Sequence, residues 1–296
     1  MWWWVLTRPG TTSRSLASTI RAPATALNAP GAPTASRART KLVRRVSSRK
    51  KWVCMSMMNW PLSALARSLA ISGVAASALL DRYGSAVNYI EKDGFEIAAK
   101  VFNVLEGENL TAAAKTTGIG ILELSTVFDN LQPDIVVTVA DRFETMATAV
   151  SASYMNIPLA HIQGGEVTGN IDEKVRHAIT KLSDYHFVAS EDAKSRVIAL
   201  GENPDFVFNT GCPSIDLANS VKESNSLDFD PIAKYGGVGG NPDISNGYWV
   251  VMQHPVTTEV NESRKNIEET LQALHQLNQP VFWFWPNVDA GADGTS

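Results

Sequence analysis

Apolar residues fall along this chain in short runs that alternate with longer helical patterns. β-Branched and aromatic runs predict strands at 135–140 (IVVTVA), 157–162 (IPLAHI), 185–190 (YHFVAS), 206–210 (FVFNT), 248–253 (YWVVMQ) and 281–285 (VFWFW). Between and after them the spacing predicts helices near 109–130, 143–155, 172–183, 191–201, 213–222 and 259–278. Pro133 and Asp134 punctuate the entry to the first strand. Thr258 or Asn261 starts the last helix, and Pro280 follows its end. Several strands are nearly all apolar, so both their faces are expected to be buried. That pattern belongs to an α/β fold, a parallel sheet with helices on each side.

The rhythm breaks at 223–247 (ESNSLDFDPIAKYGGVGGNPDISNG), where Gly, Asn, Asp and Ser dominate and a linker or long loop is expected. This divides the body into a Rossmann-like domain over 72–222 and the start of a second over 248–296. The second holds one strand–helix–strand unit, too little for a full core. The chain stops at DAGADGTS, where a further helix is due, so a truncated second domain is expected.

Charge separates a third segment. The 296 residues carry a formal net charge of −4, but residues 1–80 hold 12 Lys/Arg and no Asp or Glu. The remaining 14 basic and all 30 acidic residues lie in 81–296, a net of −16. Residues 1–71 therefore read as a basic Ser/Arg/Ala-rich segment, either a tail or a transit-like leader over its first 51 residues. The leader reading points to an organelle; without it the body is expected in the cytoplasm. The acidic body argues against a nucleic-acid partner. Two cysteines, Cys54 and Cys212, exclude a disulfide scaffold, and no uncharged stretch is long and unbroken enough for a membrane span. His-x₃-His and Cys-x₂-Cys spacings are absent, so no metal is expected.

In an open parallel sheet, ligands bind beyond the carboxyl ends of the strands. Here those ends are followed by Asp141, Arg142 and Glu144, by Gln163-Gly164-Gly165-Glu166, by Gly211-Cys212-Pro213-Ser214, by His254-Pro255, and by Asn287 and Asp289. Each has a plain structural alternative. Asp141 reads as a reacting carboxylate or as an N-cap. Arg142 reads as a phosphate ligand or as a surface ion-pair partner. Gly164, Gly165 and Gly169 let a ligand approach the backbone or simply make turns. In IDEKVRHAITKL, spacing sets Asp172 beside Arg176 and Glu173 beside His177, which is also an ordinary helical ion pairing. His161 and His186 lie within apolar strands and read as core histidines. His254, in a loop past a strand, is the best histidine for chemistry or phosphate contact. No G-x-G-x-x-G or Walker motif occurs.

The stretch from DIVVTVADRFETMATAV through AHIQGGEVTGNIDEKVRHAITKLSDYHFVAS, followed by TGCPSID, VVMQHPVTTE and FWPNVDAG, resembles the hydrolysing UDP-N-acetylglucosamine 2-epimerases of the bacterial sialic- or legionaminic-acid pathway type. The similarity runs from about residue 79 to the end, with several separate motifs in order. The resemblance implies two Rossmann-like domains of GT-B type, with the first strand region of one missing and the other truncated. It implies conversion of UDP-GlcNAc and water to ManNAc and UDP, by anti-elimination to a 2-acetamidoglucal and then water addition, with no metal or redox cofactor and in a homo-oligomer. By motif, Asp141, Asp172 and His254 match catalytic positions, and Arg142, Asn287 and Asp289 match substrate contacts. The family's glutamate after the His-Ile pair is Gln163 here, and glutamine cannot act as a general base. Glu166 is the residue expected in that catalytic role, with Gln163 kept as a substrate contact. The family's Thr-Arg-x-Asp-Tyr-Gly loop and its Gly-Asn-Ser-Ser-Ser-Gly motif have no counterpart. UDP-N,N'-diacetylbacillosamine as substrate, an inactive remnant with only a binding role, and a glycosyltransferase are the alternatives.

Overall fold

The computed structural model describes residues 3–7, 51–55, 70–81, 85–105, 109–221, 229–235, 239–240, 242–256, 258–284 and 286. Packing groups the chain into two units: 1–105 with 114–213, and 106–113 with 214–296.

The first unit is built on strands β1 (Trp3–Thr7), β2 (Lys51–Met55), β5 (Ile135–Val139), β6 (Leu159–Ile162), β7 (Tyr185–Val188) and β8 (Val207–Asn209), side by side in that order. All neighbours run parallel except β1 and β2. Strands β3 (Ala70–Ala75) and β4 (Glu96–Val101) form a parallel pair linked through a 3₁₀ turn and helix α1 (Ala86–Lys92). The other helices of this region are α2 (Leu110–Leu131), α3 (Phe143–Tyr154), α4 (Ile171–Leu182) and α5 (Glu191–Ala199).

Both faces of the central strands are covered, as their apolar runs predict. On one face, Val136 and Leu159 pack with Leu124 and Phe128 of α2, Ala147 and Ala152 of α3 and Ile179 of α4. On the other, Ile135, Ala160 and Tyr185 pack with Phe206 and Phe208. Small residues bring α2 and α3 close together. A Cβ at Gly120 would stand 2.8 Å from Ala147 Cβ and 2.9 Å from Asn103 Nδ2. The starts of α4 and α5 are capped locally: Asn170 Oδ1 accepts from the Asp172 amide, and Ser190 Oγ from the Ala193 amide.

Several features differ from the sequence reading. β1 and β2 give strand backbone to two stretches of 1–71, the segment expected as a tail; WWVLT and KWVCM are apolar, β-favouring runs that a sheet edge accepts. The β3–α1–β4 unit has strands, AISGVA and EIAAKV, in which small residues leave too weak a contrast to be read. Helix α6 (Pro213–Val221) bridges the junction of the two groupings at 213, ahead of the boundary expected at 222. Within the expected linker, α7 (Pro231–Tyr235) forms where Asp230 Oδ1 accepts the Ile232 and Ala233 amides.

The second unit holds the parallel pair β9 (Trp249–Met252) and β10 (Val281–Phe284), connected by α8 (Ser263–Leu277). A 3₁₀ turn at Val260–Glu262 precedes α8, so the helix starts later than Thr258 or Asn261. Trp249, Val250, Met252 and Phe284 are all at least half exposed, not buried on both faces as expected. A single strand–helix–strand crossover such as β9–α8–β10 lays its helix on only one face of the strand pair.

Candidate active site

The strand ends of the first unit gather the polar residues. β5 ends at Val139, and Ala140 then turns left-handed, with φ +57°. That conformation is uncommon for a residue with a side chain and marks strand ends held by their surroundings. Ala140 is held at both polar atoms. Its N–H donates to Ile162 O of β6 at 2.9 Å, and its carbonyl lies 2.9 Å from His161 Nε2. Asp141 follows, mostly buried, and pairs with the guanidinium Nη2 of Arg176 on α4.

Arg176 is itself buried. Its Nη1 donates to Glu166 O at 2.7 Å, so one side chain ties the strand-end carboxylate to the Gly-Gly-Glu loop. Burial lowers the proton affinity of this guanidinium, the direction desolvation of a cation must take. The helical spacing suggested Asp172 as its neighbour; the structure takes Arg176 across to Asp141. Asp172 sits half-buried in the first turn of α4, where the helix N-terminus favours a carboxylate. Glu166 is half-buried in the loop after β6.

Arg142 pairs with a neighbour on the same edge. Nε and Nη2 donate to the two Glu144 carboxylate oxygens at 3.1 and 3.3 Å, and its carbon Cζ lies 5.4 Å from the Phe143 ring centre. The pair is no loose surface contact, because the Glu144 side chain is buried. Gln163 is left-handed, with φ +62°, and its Nε2 donates to the half-buried Cys212 Sγ at 3.2 Å. This brings the loops after β6 and β8 together. The glycines that follow are required by packing. A Cβ at Gly164 would stand 2.9 Å from Thr180 Oγ1 and 3.0 Å from His161 Nδ1; one at Gly165, where φ is +81°, would drive into the Ala193 carbonyl and Val197. Glu173 accepts from the Gly169 and Thr168 amides, which hold its carboxyl below the usual range, and it lies 3.8 Å from His177.

The structure therefore brings Asp141, Arg142, Gln163, Glu166 and Asp172 to one edge of one sheet. His254 is an exposed residue just past β9 in the second unit. Asn287 and Asp289 lie outside the described residues. Sequence reasoning left Arg176, His161 and Thr180 out of the site. The one available signal was the position of His161, on an otherwise apolar strand and three residues before a Gly-Gly pair. Among the described residues no cluster of His, Cys, Asp and Glu has metal-holding geometry, and no helix is long and apolar enough to cross a membrane.

A sequence model of the family described as UDP-N-acetylglucosamine 2-epimerase matches residues 74–294. The chain is 36% identical over 224 residues to the UDP-N,N'-diacetylbacillosamine 2-epimerase (hydrolyzing) of Legionella pneumophila, covering 76% of this chain and 57% of that protein. It is 33% identical over 228 residues to polysialic acid biosynthesis protein P7 of Escherichia coli, covering 76% of this chain and 56% of that one. The chain thus spans a little over half the length of these curated relatives. The crystal structure of UDP-GlcNAc 2-epimerase from Neisseria meningitidis bound to UDP-GlcNAc matches with a TM-score of 0.53 and 18% identity, over 71% of this chain and 57% of that one. That likeness is one of fold, and it bears out the expected α/β class of GT-B type.

Proposed function

Because the chain belongs to the UDP-N-acetylglucosamine 2-epimerase family, we propose that it is a hydrolysing 2-epimerase that turns UDP-GlcNAc and water into ManNAc and UDP. The observation that carries this reading is the Asp141 carboxylate, set at the carboxyl end of β5 and fixed by a buried arginine. The reaction needs a base for a weakly acidic proton. In the first step the C2–H bond breaks, its electron pair forms the C1=C2 bond of 2-acetamidoglucal, and UDP leaves with the C1–O pair. Water then adds across the double bond, oxygen to C1 and a proton to C2 from the opposite face, which inverts C2. No oxidation state changes overall, so the proposal uses no redox cofactor.

Asp141, Glu166 and Asp172 supply the carboxylates for the two proton transfers, since a general base and a general acid are both needed. Arg142 and Gln163 contact the substrate from the same edge. By their motif positions, His254 is assigned a catalytic role and Asn287 and Asp289 substrate contacts. The same reading makes the protein a homo-oligomer of the cytoplasm. The name of the Legionella relative favours a second substrate, UDP-N,N'-diacetylbacillosamine, for the same chemistry.

Incubation with each UDP-sugar and no acceptor, followed by NMR of the products, tests the proposal. UDP together with ManNAc, or with the 2-epimeric diacetamido sugar, is the expected outcome. A folded chain that releases neither product overturns it. Replacing the base in Asp141→Asn should lower turnover by at least ~10²-fold, the usual contribution of a positioned general base.

A further inference from the structure

The site contains a histidine that the reaction as proposed does not use. His161 is fully buried in β6, yet both its ring nitrogens are engaged. Nε2 meets the Ala140 carbonyl at 2.9 Å, and Nδ1 meets Thr180 Oγ1 at 3.1 Å. Thr180 lies one turn along α4 from Arg176, and Arg176 holds Asp141. The contacts run from Ala140 through His161 to Thr180, on the helix that also carries Arg176, the partner of Asp141.

The chemistry of the ring assigns its protons. A carbonyl oxygen only accepts, so Nε2 carries the hydrogen and donates to Ala140. Burial pushes the His161 pKa down to about 4, against the opposing pull of the Ala140 hydrogen bond, so the ring is neutral near pH 7. Nδ1 is then an acceptor, and the Thr180 hydroxyl donates to it. Thr180 Oγ1 is also 3.0 Å from Arg176 O, but one hydroxyl proton serves one acceptor, and that carbonyl already lies in the helix ladder. Gly164 keeps the space open, because a side chain there would collide with both Thr180 and His161.

The ladder does not explain the Ala140 carbonyl. Ala140 has turned left-handed, and a side chain meets its oxygen. That turn sets the direction in which the next residue, Asp141, leaves the sheet. We propose that His161 is a positioning residue: by donating to the Ala140 carbonyl it holds the left-handed turn that presents Asp141 to Arg176 and to the substrate. The proposal rests on the reading of Asp141 as a reacting carboxylate and adds the residue that orients it.

The test compares the wild-type chain with His161→Gln, whose amide can donate to Ala140, and His161→Phe, which fills the space without a donor. Two readouts are taken on chains shown to be folded by circular dichroism. Solvent-exchange protection of the Arg176 guanidinium protons, measured by ¹⁵N NMR, reports the pairing with Asp141. Steady-state kinetics on UDP-GlcNAc separate kcat from KM. In His161→Phe the protection is expected to fall at least ~10-fold and kcat ~10²-fold with KM nearly unchanged, as for an ångström-scale misplacement of a reacting group. His161→Gln should regain most of both. A folded His161→Phe chain that keeps the Arg176 protection, or keeps kcat within a factor of two of wild type, overturns the proposal. Absence of turnover in the wild type overturns the hydrolase reading instead, and the exchange measurement still decides the positioning role. If His161→Phe does not fold, ¹H–¹⁵N correlation of the wild-type ring at pH 7 decides: a proton on Nε2 alone is expected, and a proton on Nδ1 refutes the arrangement.

Discussion

Acid should weaken the first unit through His161, and the size of the effect follows from its burial. In an unfolded chain its imidazole titrates at 6.5; in the fold, burial first of all, with the charges of His186 and His177 adding, lowers that to about 4. Its hydrogen-bond partners, Thr180 and the Ala140 carbonyl, carry no charge. The folded pKa lies below the unfolded one, so the fold prefers the neutral ring. The stability this represents is complete above pH 6.5. Between 6.5 and about 4 the unfolded state takes up a proton that the folded state refuses, and the stability is lost; below about 4 both states are protonated and the loss stops. At 1.36 kcal/mol per pH unit, the drop from 6.5 to about 4 corresponds to about 3 kcal/mol. That is a large part of a domain stability of roughly 5–15 kcal/mol. The measurement is amide hydrogen exchange of β5 and β6 at pH values between 7.5 and 4, corrected for intrinsic exchange, so that the first unit reports on itself. Wild type and His161→Gln are compared. His186, also lowered by burial, and the carboxylates titrate in both chains and cancel in the difference. The opening free energy of wild type should fall by about 3 kcal/mol more than that of the variant over this range. Equal pH dependence in the two chains would show that His161 titrates normally and refute the argument.

Two substitutions probe the rest of the edge. Gly165→Ala puts a Cβ against the Ala193 carbonyl and 2.8 Å from Val197 Cγ2 in a left-handed backbone. Strain and overpacking together should cost about 2–4 kcal/mol in thermal melts, and a loss under about 0.5 kcal/mol would mean that the loop and α5 are not in contact. Arg176→Met leaves the mostly buried Asp141 without its cation and should destabilise by about 3–5 kcal/mol. Adding Asp141→Leu should restore most of that in urea unfolding; a double variant as weak as the single one would show that the charge of Asp141 is not the cause.

Much of this molecule could be read along the chain. The strands β5 to β8 and helices α3 to α5 follow from signals that are local: β-branched runs, Asn170 and Ser190 at helix starts, and Pro133 ahead of a strand. The polar residues past each strand end, Asp141, Gln163 and Glu166 among them, were legible because a parallel sheet directs every such end to one edge. The strand–helix–strand unit from 70 to 101 was not, since the small residues Ala and Gly in its strands carry little hydrophobic contrast. Choices between equal local readings were settled only in three dimensions. Arg176 sits at helical spacing from Asp172, yet a partner from another strand end, Asp141, competes for the same guanidinium, and the hydrogen bond to Glu166 O fixes its direction. Arg142 uses Nε and Nη2 on a buried Glu144, a pairing that spacing alone does not reveal. His161 was recognisable as buried, because its neighbours in the strand are apolar. What it does there depends on the Ala140 carbonyl and the Thr180 hydroxyl, which arrive from other elements. Periodicity records which face of an element is covered. The partner of a polar atom on that face is set by the packing of the sheet and α4 against each other.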